Sequence, residues 1–170
     1  SVKARGGKAA YDPANMLRPA EIAEMVAKAE RDFGSVDILV NNAGIQHVGP
    51  IETYDPAVFA RIQRLMVESP FLLTRAALPA MYARGFGRIV NLSSVHGLRA
   101  SPFKVAYVTA KHGLEGLSKV TALEGGPHGV TSNCVNPGYV RTPLVEKQIV
   151  DQAKVHGIPE SEVVEKVMLT

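Results

Sequence analysis

The stretch Asp37-Ile38-Leu39-Val40-Asn41-Asn42-Ala43-Gly44 sets the fold class. It opens as a short continuous apolar run, the pattern of a strand buried on both faces, and ends in a polar loop that closes on glycine. Upstream, Pro19 stands where a first-turn proline is tolerated, Ile22, Met25, Val26, Ala29 and Phe33 recur at helical spacing, and Gly34 stops the pattern. Downstream, Asp55 caps and Pro56 opens a second helical pattern carrying Val58, Phe59, Ile62, Leu65 and Met66 on one face, bent at Pro70 and closed at Gly85. Residues 88–92 and 131–135 read as two further strands, ending at Ser93-Ser94 and at Asn136-Pro137-Gly138. Between them a third helix is expected over residues 103–124, with Tyr107, Ala110, Lys111, Leu114, Leu117 and Val120 in register. Helical patterns over 143–152 and 159–168 flank Gly157. This alternation predicts an α/β fold built on a parallel sheet.

The composition fits one globular domain: 170 residues, 46% hydrophobic and 21% charged. A single Cys excludes a disulfide scaffold, and Cys134 in its apolar stretch reads as a small core residue. The formal charge of +3 is spread without a Lys/Arg block, so no nucleic-acid partner is expected. Apolar runs such as residues 38–40 fall far short of the roughly 20 residues of a membrane span. The start Ser1-Val2-Lys3-Ala4-Arg5 leads into no signal-peptide core, so a cytoplasmic protein without a membrane partner is expected. His47, His112, His128 and His156 have no metal-ligand spacing, and no metal site is expected.

In open α/β sheets, ligands bind beyond the carboxyl ends of the strands. Asn41-Asn42-Ala43-Gly44, Ser93-Ser94 and Asn136-Pro137-Gly138 all fall there and should line one crevice. Tyr107 and Lys111, four residues apart on a helix, share a face with Cβ atoms about 5–6 Å apart. A free Tyr with a pKa near 10 is a poor base at neutral pH, and a neighbouring ammonium favours its phenolate.

Taken together, Asn-Asn-Ala-Gly, Ser94, Tyr107-x-x-x-Lys111 and Pro137-Gly138 occur in the order and spacing of the classical short-chain dehydrogenase/reductase family, which the whole chain resembles. The resemblance implies a Rossmann-like doubly wound parallel sheet in three layers and hydride transfer to or from NAD. It makes Tyr107 the acid/base, Lys111 the group that lowers its pKa and holds the nicotinamide ribose, and Ser94 the hydrogen-bonder of the substrate oxygen. Asn41, Ala43 and Gly44 would shape the cofactor loop, with Pro137, Gly138, Val140 and Thr142 at the carboxamide. The second and third helices would pack between subunits of a homodimer or homotetramer.

Many family members carry an Asn at the position of Met66. Pro70, four residues on, has no N–H to offer the Met66 carbonyl. Either that carbonyl holds a relay water near Lys111, or Pro70 is a simple bend and Met66 fills the core.

On the substrate side, Gln46, His96, Lys104 and Gln148 resemble those of the family's bacterial members that interconvert D-3-hydroxybutyrate and acetoacetate. A cationic Lys104 with polar donors around it suits a small carboxylate. Tyr139 would cap the methyl end or pack under the loop. Reduction of 3-oxoacyl thioesters or of sugar or steroid carbonyls is the alternative reading within the family, and a non-enzymatic binding protein the alternative outside it.

A dinucleotide fold also needs a Gly-rich turn after its first strand. No such turn occurs among these residues. The 170 residues are expected to be a single incomplete domain, lacking the first two strands with that turn and the final strand, with residues 7–12 as a remnant of the third.

Overall fold

Three parallel strands, β1 (Ile38–Asn41), β2 (Gly87–Leu92) and β3 (Val130–Val135), lie in the order β1-β2-β3 in the computed structural model, which describes residues 2–140 and 142–168. Asn41 is level with Asn91, and Asn91 with Cys134, so the three carboxyl ends come out side by side. Parallel neighbours need crossovers. Helix α1 (Pro19–Phe33) leads into β1, α2 (Pro56–Gln63) and α3 (Ser69–Arg84) join β1 to β2, and α4 (Val105–Gly125) joins β2 to β3. Helices α5 (Pro143–His156) and α6 (Glu160–Val163) follow.

Local signals explain most boundaries. Pro19 is the first residue of α1, and Gly34, at φ 89°, ends it with its N–H donating to the Glu30 carbonyl. The Asp55 side chain accepts from the Ala57 N–H at 2.7 Å and caps α2. Pro70 does more than bend the second helix: Arg64–Glu68 form a π-helical turn, with the Ser69 N–H bonded to the Arg64 carbonyl. Without an N–H at residue 70 the α-helical pattern loses a donor, and a wider turn absorbs the loss.

The third helix begins at Val105, two residues later than expected, because Phe103 adopts φ 62°, outside helical space. Residues 7–12 form no strand; among the described residues no neighbour supplies a ladder for them.

The core lies on one face of the sheet, where Ile22 and Val26 of α1 and Leu73, Ala77 and Met81 of α3 pack on Ile89 and Val130. Successive right-handed crossovers stepping in one direction put their helices on the same side. The opposite face is open. Ile38 is 62% and Val40 53% exposed, so β1 is covered on one face only and the described residues make two layers where three were expected. A second cluster, Ile62, Met66, Ala106 and Ala110, ties α2 and the π turn to α4.

Polar side chains cross the covered face near the carboxyl ends. The Asn41 amide donates to Asn91 Oδ1 at 2.8 Å, Asn91 donates to Ser132 Oγ at 3.2 Å, and Ser132 meets Ser118 Oγ of α4 at 3.0 Å. At the far end, Gly129 (φ 72°) passes so close to Gly85 that a Cβ would lie 2.2 Å from its carbonyl oxygen.

Candidate active site

The level strand ends open into a cavity of about 370 Å³. Its walls include Gly44 and Gln46 beyond β1, Ser94 and His96 beyond β2, Tyr107 and Lys111 from α4, and Pro137, Gly138 and Val140 beyond β3. Thr142 and Gln148, at the start and on the inner face of α5, close it.

Ser94 sits in extended backbone at the head of a one-turn 3-10 helix, where its Oγ accepts the His96 N–H at 3.2 Å. His96 stands between two serines, with Nδ1 3.4 Å from Ser94 Oγ and Nε2 3.0 Å from Ser101 Oγ. Burial first, then the charge of Lys104 and the neighbouring His112, push its pKa down to about 4. The ring is thus neutral and orients Ser94.

Lys111 is 5% exposed, with its ammonium donating to the Leu92 carbonyl and lying 5.4 Å from the Tyr107 ring centroid. Burial pushes its pKa down to about 8, partly countered by Cys134 and Glu115. For Tyr107, burial raises the pKa while the Ser94 hydroxyl acts in the other direction. The net direction is upward, against the lowering expected, because burial is the largest influence on the hydroxyl.

Lys104 departs most from expectation. It does not line the cavity; 1% exposed, it donates to the Tyr139 hydroxyl at 2.6 Å with its ammonium 4.9 Å from that ring's centroid. Burial pushes its pKa down to about 8. Tyr139 stands between Lys104 and the cavity, with its ring edge-on to His96 at 6.1 Å. An ammonium only donates, so the Tyr139 oxygen accepts and its own proton is free to point elsewhere. Gln46 Nε2, buried in the same wall, has no hydrogen-bond partner.

Asn41 and Ala43 also lie outside the cavity, lining a separate hollow of about 190 Å³ with Leu65, Ser69 and Pro70. Asn41 is 5% exposed with its amide spent on Asn91, a part in holding the sheet. Met66 likewise is not in the cavity wall; 1% exposed, its side chain fills the core beside Gly44, and it sits within the π turn. Asn42 and Ser93, expected at the crevice as strand-end residues, are in the wall, whereas sequence reasoning passed over Leu92 and Val145. Leu92 was legible as a strand end, and Val145 as one turn into the helix that carries Gln148.

Residues 1–153 match the short chain dehydrogenase family model. The D-beta-hydroxybutyrate dehydrogenase of Rhizobium meliloti (strain 1021) is 52% identical over 163 residues, which cover 96% of this chain and 63% of that protein. The enzyme of the same name from Cupriavidus necator is 50% identical over 155 residues, covering 91% of this chain and 60% of that one. The solved structure of NAD+-bound xylitol dehydrogenase superposes with a TM-score of 0.87 at 31% identity, covering 91% of this chain and 60% of the other. The chain thus spans 60–63% of the length of these two curated relatives. With a parallel Rossmann-like sheet, the Ser94, Tyr107 and Lys111 cluster at its strand ends and these likenesses, the chain belongs to the short-chain dehydrogenase family.

Proposed function

We propose that the protein oxidises D-3-hydroxybutyrate to acetoacetate, with NAD as the hydride acceptor. The observation that carries this reading is the juxtaposition of Ser94, Tyr107 and Lys111 in one cavity whose far wall holds Tyr139 backed by Lys104.

The residues present fit a nicotinamide cofactor. A Cβ at Gly138 would meet nothing within 4 Å, which leaves room for a flat ring, and Thr142 at the helix start offers a hydroxyl to a carboxamide. Bound there, NAD supplies the acceptor for the hydride leaving C3 of the substrate. Asn41 and Ala43 would support its loop from behind, with Gly44, Pro137 and Val140 in the wall.

The chain's own residues do the remaining work. Ser94, held by His96, donates to the substrate oxygen, and Tyr107 takes the hydroxyl proton as the C–H bond breaks. The Lys111 ammonium stabilises the phenolate form of Tyr107 that accepts this proton. The Met66 carbonyl, freed of its helical donor by Pro70, holds a water that passes the proton toward solvent. The substrate carboxylate meets the Tyr139 hydroxyl and the amides of Gln46 and Gln148, with the Lys104 charge immediately behind. His96 contributes as a neutral polar wall.

The reading is of a cytoplasmic enzyme that assembles as a homodimer or homotetramer. Exposed Phe71 on α3 and Val120 and Leu123 on α4 support the second part. No helix of the described residues is long and apolar enough to cross a membrane.

Steady-state assays of the full-length protein with D-3-hydroxybutyrate and NAD test the proposal, with a 3-oxoacyl thioester and NADPH as the competing pair. Turnover of the first pair that Tyr107→Phe reduces by at least about 100-fold supports it. Preference for the thioester, or an undiminished Tyr107→Phe variant, overturns it.

A further inference from the structure

Tyr107, Lys111 and Glu115 follow one another at four-residue steps along α4, so the three share a face. The first two belong to the proposed reaction. Glu115 is 9% exposed, an unusual place for a carboxylate without a structural or functional reason.

We infer that Glu115 is a positioning residue: through Asn136 it fixes the loop of Ser94 against the turn 136–138, and its negative charge sustains the ammonium of Lys111. The inference rests on the reading of Ser94, Tyr107 and Lys111 as the reacting set.

The geometry runs through one amide. Asn136 Nδ2 donates to Glu115 Oε1 at 2.5 Å and to the Ser94 carbonyl at 2.9 Å, so a single side chain bridges helix and loop. The Val95 N–H donates to the Pro137 carbonyl at 3.0 Å, which locks the same two segments from the other side. A Cβ at Gly97 would lie 2.5 Å from Ser93 Oγ and 2.9 Å from Glu115 Oε1. The loop closes down on the carboxylate because residue 97 has no side chain.

The charges around the pair are few. Lys111 is faced by Tyr107 and Glu115 from its own helix, by the Leu92 carbonyl from β2 and by Cys134 from β3. Glu115 is faced by Ser93, Asn136 and Cys134, with Lys119 one turn on. Burial raises its pKa, yet the side chains of Ser93, Asn136 and Cys134 outweigh this and keep it below the usual carboxylate value. Glu115 is therefore ionised at neutral pH and opposes the desolvation of Lys111.

Two variants separate the contact from the charge. Glu115→Gln keeps an oxygen for Asn136 and removes the charge; Asn136→Ala keeps the charge and removes the bridge. Measurements on the protein without substrate read each part. The first is the titration of the Lys111 side chain by NMR of its 13Cε, assigned by comparison with Lys111→Met. The second is the amide exchange rate of Val95 and Gly97.

In Glu115→Gln the Lys111 midpoint is expected to fall by roughly half a pH unit or more, with loop exchange near the wild-type rate. In Asn136→Ala, exchange at Val95 and Gly97 should rise by about tenfold or more, with the Lys111 midpoint within a few tenths of wild type. An unmoved Lys111 midpoint in Glu115→Gln, or unchanged exchange in Asn136→Ala, overturns the inference. A Tyr107→Phe protein that still turns over would remove the catalytic reading and leave both NMR outcomes standing, so the two failures are told apart.

Discussion

The ammonium of Lys104 lies 2.6 Å from the hydroxyl oxygen of Tyr139, with the lysine 1% exposed and without a carboxylate partner among the described residues. A buried charge with no counter-ion costs stability, and Lys104 is steered inward by Phe103, whose φ of 62° is itself strained. Under the proposed function, that cost is offset when the substrate carboxylate binds at Tyr139. Lys104→Met should therefore raise the stability of the free protein by about 1 kcal/mol while raising KM for D-3-hydroxybutyrate by roughly tenfold or more. Urea denaturation and initial rates check the two halves. A destabilised variant with unchanged KM would show that the ammonium serves the fold instead.

Stability should also depend on pH in a defined sense. Lys104 and Lys111 have folded-state pKa values of about 8, below the ordinary 10.5. Between these values the unfolded chain binds more protons than the folded one, so stability rises as pH rises through that window and is flat with respect to these groups below it. His96, held at about 4 against an ordinary 6.5, adds a loss of stability as pH falls through the range between. Urea midpoints at pH 7.5, 9 and 10 compare wild type with Lys104→Met. The wild-type protein should gain more across the series.

The strand ends and the helical pair were legible in the sequence because short-range chemistry specifies them. Proline and Asx caps fix α1 and α2, a four-residue step brings Tyr107 beside Lys111, and parallel pairing brings the loop of Ser94 out beside that of Asn136. What escaped the sequence depends on long-range placement. Asn41 carries the same amide whether it faces a ligand or Asn91, and only the register shows that it faces Asn91. Lys104 was expected on the substrate side by resemblance, whereas the turn at Phe103 sends it behind Tyr139. Burial of β1 on both faces was inferred from an apolar run, yet the helices collect on one side and leave Ile38 and Val40 open.

Pro70 offers a test of the π turn. Pro70→Ala restores an N–H to the helix and gives the Met66 carbonyl an intrahelical partner, so the Arg64–Glu68 turn should relax toward α-helix. Turnover should fall several-fold if that carbonyl anchors a relay water, with thermal stability unchanged or slightly raised. A fully active variant with a straightened helix would assign the relay elsewhere.

Gly129 is the position least able to accept a side chain. Its φ of 72° is already in the region that favours glycine, and the Cβ of Gly129→Ala would stand 2.2 Å from the Gly85 carbonyl oxygen. A loss of about 2 kcal/mol or more is expected in chemical denaturation, more than the strain of a left-handed alanine alone. A loss under about 0.5 kcal/mol would mean that the two turns separate easily.

The chain of Asn41, Asn91, Ser132 and Ser118 has a further consequence. Apolar strands such as Ile38-Leu39-Val40 and Ile89-Val90 are nearly interchangeable to a hydrophobic helix face, and a shift between neighbouring strands by two residues would preserve which side chains point inward. Amides and hydroxyls are not interchangeable, since each needs its partner at hydrogen-bond distance and is penalised when buried without one. The rungs therefore act as an index mark across the sheet. They allow the one alignment in which the loops bearing Ser94 and Asn136 leave the strands at the same height, which is the alignment the proposed reaction needs.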